Sequence, residues 1–245
     1  MPNFEGGVMC SQTTQDYLKA IYELSERSDR VMTKDIAAKL KVSPPSVTEI
    51  VRKLAAKKLL VHKPYRGVRL TKAGEKIALE MIRHHRLIEL YLQEALGIPW
   101  DKVHEEADRW EHFISEDVED RMDEKLGFPT VDPHGAQIPT RDGVLLLRRK
   151  CETLSSLAAG DSGVVAEVSD HDSEMLQYLG EKGMFPGAAI TVKNVEPFDG
   201  PITVTVNGRK HSIGGGIAQH VSVTDVRKAD TRKTDVRKAA GGGGR

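Results

Sequence analysis

Cysteine is nearly absent from this chain of 245 residues: only Cys10 and Cys151 occur. Two are too few for a disulfide framework and fit a reducing compartment. No run approaches the roughly 20 apolar residues that a membrane-spanning helix needs. No apolar segment opens the sequence, so neither a membrane protein nor an exported one is expected, and the chain reads as cytoplasmic. Net charge is missing as well, with 36 Lys and Arg against 36 Asp and Glu. What is present, 39% hydrophobic and 29% charged residues, is ordinary for a globular protein of one to three domains with a real core.

The zero net charge conceals sorting. Residues 31–76 hold twelve Lys/Arg and three Asp/Glu, whereas residues 77–124 hold five Lys/Arg and fourteen Asp/Glu. A basic block beside an acidic one calls for two partners, a polyanion and a cation.

The basic block reads as a winged helix-turn-helix. Tyr17, Leu18, Ile21, Tyr22 and Leu24 recur at helical spacing over 13–27. Thr33 is the expected N-cap of a helix over 34–40, and Ser43 that of a second helix opening Ser-Pro-Pro-Ser, with proline in its first turn. Val47, Ile50, Val51 and Leu54 give that helix its apolar stripe. Two short helices with a tight break meet the requirement of a helix-turn-helix. Strands at 59–63 and 68–70, joined through Tyr65, Arg66 and Gly67, would add a wing. Ser43, Pro45, Ser46 and Thr48 lie at the start of the recognition helix, where base edges and phosphates are met. Arg52, Lys53, Arg66 and Arg69 would neutralise phosphates.

The acidic block carries four of the nine histidines. A long helix capped by Thr71 and running to about Leu96 puts His85 and Glu89 four residues apart, on one side. A second helix is expected over 101–125. Its apolar stripe is Val103, Ala107, Trp110, Ile114 and Val118, and His104, Asp108, Glu111 and His112 form another stripe. Imidazoles and carboxylates converging on one side are a chelating arrangement. Two enzyme signatures are missing. His104-Glu105-Glu106-Ala107-Asp108 is one residue short of the zinc-protease pattern, and no Glu-x-x-His pair of the di-iron type occurs. The alternative function left by the first is a zinc-type metalloenzyme using His104, Glu105 and Asp108.

After a linker over 127–143, short strands are expected at 163–168, 189–195, 203–206 and 220–223, which amounts to a small β-barrel. The sequence Asp-Val-Arg-Lys-Ala occurs at 225 and again at 235, ahead of four glycines. Residues 227–245 read as a flexible basic tail.

Together, Thr13-Thr14-Gln15-Asp16-Tyr17-Leu18, His85-Arg86-Leu87-Ile88-Glu89 and the run from Val103 through Trp110-Glu111-His112 resemble the diphtheria-toxin-repressor family of metal-dependent transcriptional regulators, within it the manganese-responsive branch. The resemblance covers roughly residues 11–225 and implies a mainly α protein with a small all-β domain. Its parts would be a winged helix-turn-helix (1–72), a helical dimerisation and metal-binding domain (73–146) and an SH3-like barrel (147–226). It further implies one metal site at Asp16, Asp108, Glu111 and His112 and a second at His85, Glu89 and His104, with Glu174 and Gln177 contributed by the third domain. Where iron-responsive members carry Met and Cys, this chain has Asp16 and Asp108, an oxygen set that suits Mn²⁺ and also accepts Fe²⁺. Where manganese members often carry an acidic residue three places after Asp16, this chain has Lys19, a departure from a strict two-manganese site. The implied function is repression by a homodimer that binds palindromic operator DNA when loaded with metal.

Overall fold

The computed structural model describes residues 11–28, 30–63, 66–146 and 150–229. The expected wing tip at Tyr65 and the expected tail from 230 onward lie outside the described residues. Two compact units emerge. The first comprises residues up to Glu94 with Glu105–Thr130 and Gln137–Leu146, and the second Ala95–His104, Val131–Ala136 and Leu147 onward.

In the first unit, α1 (Gln12–Arg27), α2 (Thr33–Leu40) and α3 (Pro44–Ala56) are followed by β1 (Leu60–Lys63) and β2 (Gly67–Leu70). Ser43 caps α3 by accepting from the Ser46 amide, and Pro44 fills its first position, where no amide partner is needed. α2 departs from expectation: Met32, not Thr33, is the N-cap residue, and the Asp35 carboxylate accepts from the Met32 amide at 3.2 Å. Lys41 in the left-handed conformation (φ 54°) ends α2 and makes the break before α3. Val47, Val51 and Leu54 are buried against Leu18, Ile21 and Ile36, each contributing about 1.5–3 kcal/mol through burial. β1 and β2 form the antiparallel wing, registered from Leu60 opposite Leu70 to Lys63 opposite Gly67. Gly67 has φ +84°, and a Cβ there would meet the Val31 carbonyl oxygen at 2.6 Å, so no side chain fits.

α4 (Lys72–Leu96) begins at Thr71, whose hydroxyl accepts from the Gly74 amide. The helix expected over 101–125 is two helices, α5 (Val103–Trp110) and α6 (Glu116–Lys125). A tight turn, with the Phe113 amide bonded to the Trp110 carbonyl at 2.9 Å, stops the first. Ser115 then caps the second by accepting from Val118. The periodicity of the stripe masked the break, because a serine cap inside an apolar repeat leaves the repeat intact.

The second unit is a six-stranded antiparallel sheet in the order β3-β8-β4-β5-β6-β7. Its strands are β3 (Glu152–Thr153), β4 (Ser162–Val168), β5 (Ala189–Val195), β6 (Ile202–Val206), β7 (Arg209–Ile213) and β8 (Val221–Arg227), with α7 (Ser173–Glu181) after β4 and a short α8 (Gly215–Ala218). β7 was not foreseen, because Arg209-Lys210-His211-Ser212 has no apolar alternation to announce it. Alternate residues of β6, namely Ile202, Val204 and Val206, are buried, as a half-covered strand requires. Segment 131–136 packs on β4: the Val168 amide bonds the His134 carbonyl, and Gly135 (φ +90°) leaves no room for a Cβ beside the Ala166 oxygen. Arg227, expected in the tail, instead ends β8, and Lys228 just beyond it pairs with Glu152 at 2.7 Å. Among the described residues no helix is long and apolar enough to cross a membrane.

Candidate metal centre and nucleic-acid face

Three elements of the first unit supply the centre. Gln15 and Asp16 lie four and three residues before Lys19 on α1, which puts them on its side of the helix, while Tyr17, Leu18 and Ile21 take the buried side. α4 supplies His84, His85 and Glu89. The end of α5 and the turn after it supply Asp108, Glu111 and His112.

Glu111 stands at the middle and serves two groups of donors. On one side are Asp16, Glu111 and His112, with ligand atoms all within 4.8 Å of one another. His112 Nε2 is 3.0 Å from Asp16 Oδ1 and 3.7 Å from Glu111 Oε1. Its other nitrogen, Nδ1, donates to Gln15 Oε1 at 2.9 Å. That bond fixes the ring so that Nε2 is the atom presented to the carboxylates. On the other side are His85, Asp108 and Glu111, again within 4.8 Å. His85 Nδ1 lies 2.6 Å from Glu111 Oε2 and 3.2 Å from Asp108 Oδ1, and Nε2 lies 3.0 Å from Glu89 Oε1.

Lys19 Nζ enters this second group, 2.6 Å from Glu111 Oε2, 3.4 Å from Asp108 Oδ1 and 3.0 Å from His85 Nδ1. Both His85 nitrogens face carboxylates, so the ring donates from both. Lys19 beside Nδ1 is then a second cation held by shared anions, not a donor to the ring. The electrostatics agree. Burial and Lys19 push His85 down, but Glu89, Asp108 and Glu111 hold it well above its ordinary value. Burial would also lower Lys19, yet Glu111, Asp108 and Glu23 raise it. Burial would raise Glu111, but the bond from His85 and the Lys19 charge lower it. Asp16 is raised, by burial first and by Glu111, against the pull of His112.

Behind the centre is a buried lattice absent from the sequence reading. His84 Nδ1 reaches the Glu111 carbonyl oxygen at 3.2 Å, and its Nε2 is 3.3 Å from Glu119 Oε2. Arg83 binds Glu119 at 2.5 Å, Asp123 at 2.7 Å and the Pro139 carbonyl at 2.9 Å. His84 thereby positions the backbone that carries Glu111. The clue was the pair His84-His85, of which the spacing to Glu89 singled out only the second.

The expected ligands are therefore distributed unevenly. Asp16, Glu111 and His112 come together, Asp108 sits with His85, and Glu89 holds the far nitrogen of His85. His104 Nδ1 is 3.7 Å from Asp170 Oδ2, and its ring is 5.7 Å from that of His171. Glu174 and Gln177 are exposed on α7, and Glu174 enters none of the His, Cys, Asp and Glu donor groups found among the described residues. Asp170, which sequence reasoning missed, lies in the loop before α7, where no periodicity could mark it. Carboxylate and imidazole donors without sulfur at Asp16, Glu111 and His112 fit a divalent ion such as Mn²⁺ or Fe²⁺.

The nucleic-acid face is simpler. Ser43, Pro45, Ser46, Thr48, Arg52, Lys53, Arg66 and Arg69 are all exposed, whereas Val47, Val51 and Leu54 of the same helix are buried. Ser43 Oγ and Ser46 Oγ are 2.8 Å apart, and Thr48 Oγ1 donates to the Pro44 carbonyl at 3.0 Å. Lys53 pairs with Glu49 at 2.6 Å.

Known proteins share this organisation. Residues 9–68 match the iron-dependent repressor N-terminal DNA-binding domain, 71–140 the iron-dependent repressor metal-binding and dimerisation domain, and 152–225 the FeoA domain. The iron-dependent repressor IdeR of Mycobacterium tuberculosis is 34% identical over 215 residues, covering 81% of this chain and 90% of that protein. The diphtheria toxin repressor of Corynebacterium glutamicum is 31% identical, covering 87% and 96%. A solved manganese-dependent transcriptional repressor in complex with manganese superposes with a TM-score of 0.80 at 38% identity, covering 86% of this chain and 99% of that one. These relatives are repressors, not enzymes, which removes the zinc-enzyme alternative, and Glu105, its general base, is merely exposed on α5. The chain belongs to the iron-dependent repressor family, that of the diphtheria toxin repressor, whose members are metal-dependent DNA-binding transcriptional regulators.

Proposed function

We propose that this protein represses metal-homeostasis genes from a palindromic operator, as a homodimer loaded with Mn²⁺ or Fe²⁺. One observation carries the reading: Asp16 lies on α1 of the winged-helix domain, whereas Glu111 and His112 come from the end of α5 and the turn after it, and their ligand atoms lie within 4.8 Å. An ion there ties the DNA-binding helices to the helical domain. When bound, the ion supplies positive charge and directed bonds to two carboxylates and an imidazole. Gln15 holds His112 to receive it, and His84 holds the backbone of Glu111. By linkage, an ion that favours the DNA-competent arrangement is itself bound more tightly when DNA is present.

Supporting the dimer, Trp110, Phe113 and Val118 remain exposed on the α5–α6 segment, Phe113 by 74%. A patch of large apolar groups on a domain of this type marks an interface. Two recognition helices related by a two-fold axis would read half-sites about one helical turn apart.

The test is a binding titration with DNA fragments selected from a random pool in the presence of Mn²⁺. Affinity should rise about 5–150-fold from chelator to Mn²⁺ or Fe²⁺, the usual range of such coupling. It should stay at the chelator level in Asp16→Ala and His112→Ala. Equal affinity with and without metal overturns the reading.

A further inference from the structure

Lys19 is not accounted for by a metal site and a DNA surface alone. We infer that its ammonium is a built-in cation that fills one of two cation positions flanking Glu111, so that this centre takes a single divalent ion where the donor geometry would otherwise admit a carboxylate-bridged pair. The inference rests on the proposed function and deepens it.

The carboxylate of Glu111 faces two ways. Oε1 turns to His112, 3.7 Å from its Nε2, and Oε2 turns to His85 and Lys19, each at 2.6 Å. The donors on the second side, His85, Asp108 and Glu111, are grouped as tightly as those on the first. A hard divalent ion would have to lie about 2.0–2.6 Å from such donors. Lys19 Nζ already lies within 3.4 Å of all three. The ion and the ammonium would compete for one space, and they carry charge of the same sign. Lys19 cannot readily withdraw, because its side chain is only 13% exposed and both carboxylates would be left with His85 as the one cation they share. Asp16 and Lys19, three residues apart on α1, thus bracket Glu111 from the same helix. One serves the position open to an ion, and the other closes its neighbour. The closed position also ties α1 to α4 and α5 without metal, so the divalent ion completes a junction already half made.

The experiment is electron paramagnetic resonance of the full-length protein titrated with Mn²⁺, with bound Mn²⁺ counted in parallel. Wild-type protein should show only magnetically isolated Mn²⁺ at saturation. Lys19→Glu should bind one more Mn²⁺ per protomer and show the exchange-coupled signal of a carboxylate-bridged pair. Lys19→Gln, of similar size and uncharged, should gain the same ion more weakly, and it decides the matter should Lys19→Glu not fold. A coupled pair in the wild-type protein overturns the inference, as does a folded Lys19 variant that gains no ion. Wild-type protein that binds neither Mn²⁺ nor, in a parallel titration, Fe²⁺ overturns the metal-loaded reading itself, and the inference with it.

Discussion

The outer face of α3 and the junction of α1, α4 and α5 are both built from charge, and they handle it in opposite ways. On α3, Arg52 and Lys53 stand in solvent, and the Lys53–Glu49 pair is more than half exposed at both ends. At the junction, His85, Glu89 and Glu111 are buried, and each faces an opposite charge within 3.0 Å. Charge kept in water costs little to maintain and stays available to a polyanion. Charge taken out of water persists only when paired, so its positions are fixed before any ligand arrives. The first arrangement suits a surface that must settle onto DNA. The second suits a centre that must accept an ion of given size without rearranging.

The largest effect should come from breaking a buried pair. Glu119→Ala leaves Arg83 and His84 buried without their shared carboxylate and should cost about 3–5 kcal/mol of unfolding free energy. Arg52→Ala on the exposed face should stay within about 0.5 kcal/mol of wild type. Urea denaturation in chelator measures both, and similar losses would erase the contrast.

The same lattice sets a pH signature. Burial works against the His84 cation, but the bonds to Glu119 and to the Glu111 carbonyl raise its folded value above the ordinary 6.5. Its contribution is therefore complete below that value and is lost as pH rises through the folded one. Burial would raise Glu119, but His84 and Arg83 lower it below 4.5. Its contribution is complete above 4.5 and is lost as pH falls through the folded value. In chelator, the stability difference between wild type and His84→Gln should be greatest below pH 6.5 and shrink above it. A difference that grows with pH would show that His84 is not held as a cation.

The contrast between the regions also governs what the sequence could disclose. The α3 face was legible because exposure and periodicity go together: Val47, Val51 and Leu54 mark the buried side, which leaves Ser46, Thr48, Arg52 and Lys53 outside. The residue types of the metal centre were legible for the same reason, since His85 and Glu89 share a helix side. Their grouping was not. Whether Glu111 and His112 face the same donors as Asp108 depends on where α5 stops, and a capped break at Ser115 does not disturb an apolar repeat. The presence of Lys19 was noticeable as a departure, but its contact with three donors required α1, α4 and α5 in space. Arg83 and Glu119 were invisible, and His84 showed only as the neighbour of His85, because ion pairs between distant helices leave no local spacing.

A smaller effect should separate ligands from the groups that hold them. Gln15 fixes His112 through Nδ1. Gln15→Leu should weaken Mn²⁺ binding about 10–100-fold, the usual loss when an orienting partner is removed. At saturating Mn²⁺ its DNA affinity should return to that of wild type. Mn²⁺ titration by calorimetry gives the first quantity and DNA binding at high Mn²⁺ the second. A DNA defect that metal cannot repair would make Gln15 part of the helix packing instead.

The smallest effect tests the claim that exposed charge is charge in reserve. If Arg52 neutralises one phosphate, Arg52→Ala should lower the slope of log affinity against log salt by about 1, at every DNA sequence alike. Lys53 is also exposed, but Glu49 2.6 Å away competes for it. An exposed pair of this kind is worth about 0–1 kcal/mol, so DNA can take Lys53 over at small cost. Lys53→Ala should then lower the slope by less than Arg52→Ala. Glu49→Gln, which frees Lys53 and removes a negative charge from the face, should tighten binding, most at low salt where screening is weakest. The order of the three variants matters more than any one value. A Lys53→Ala slope equal to that of Arg52→Ala, together with no gain in Glu49→Gln, would show that the pair dissolves wholly on DNA and that this face holds its charge with no internal restraint.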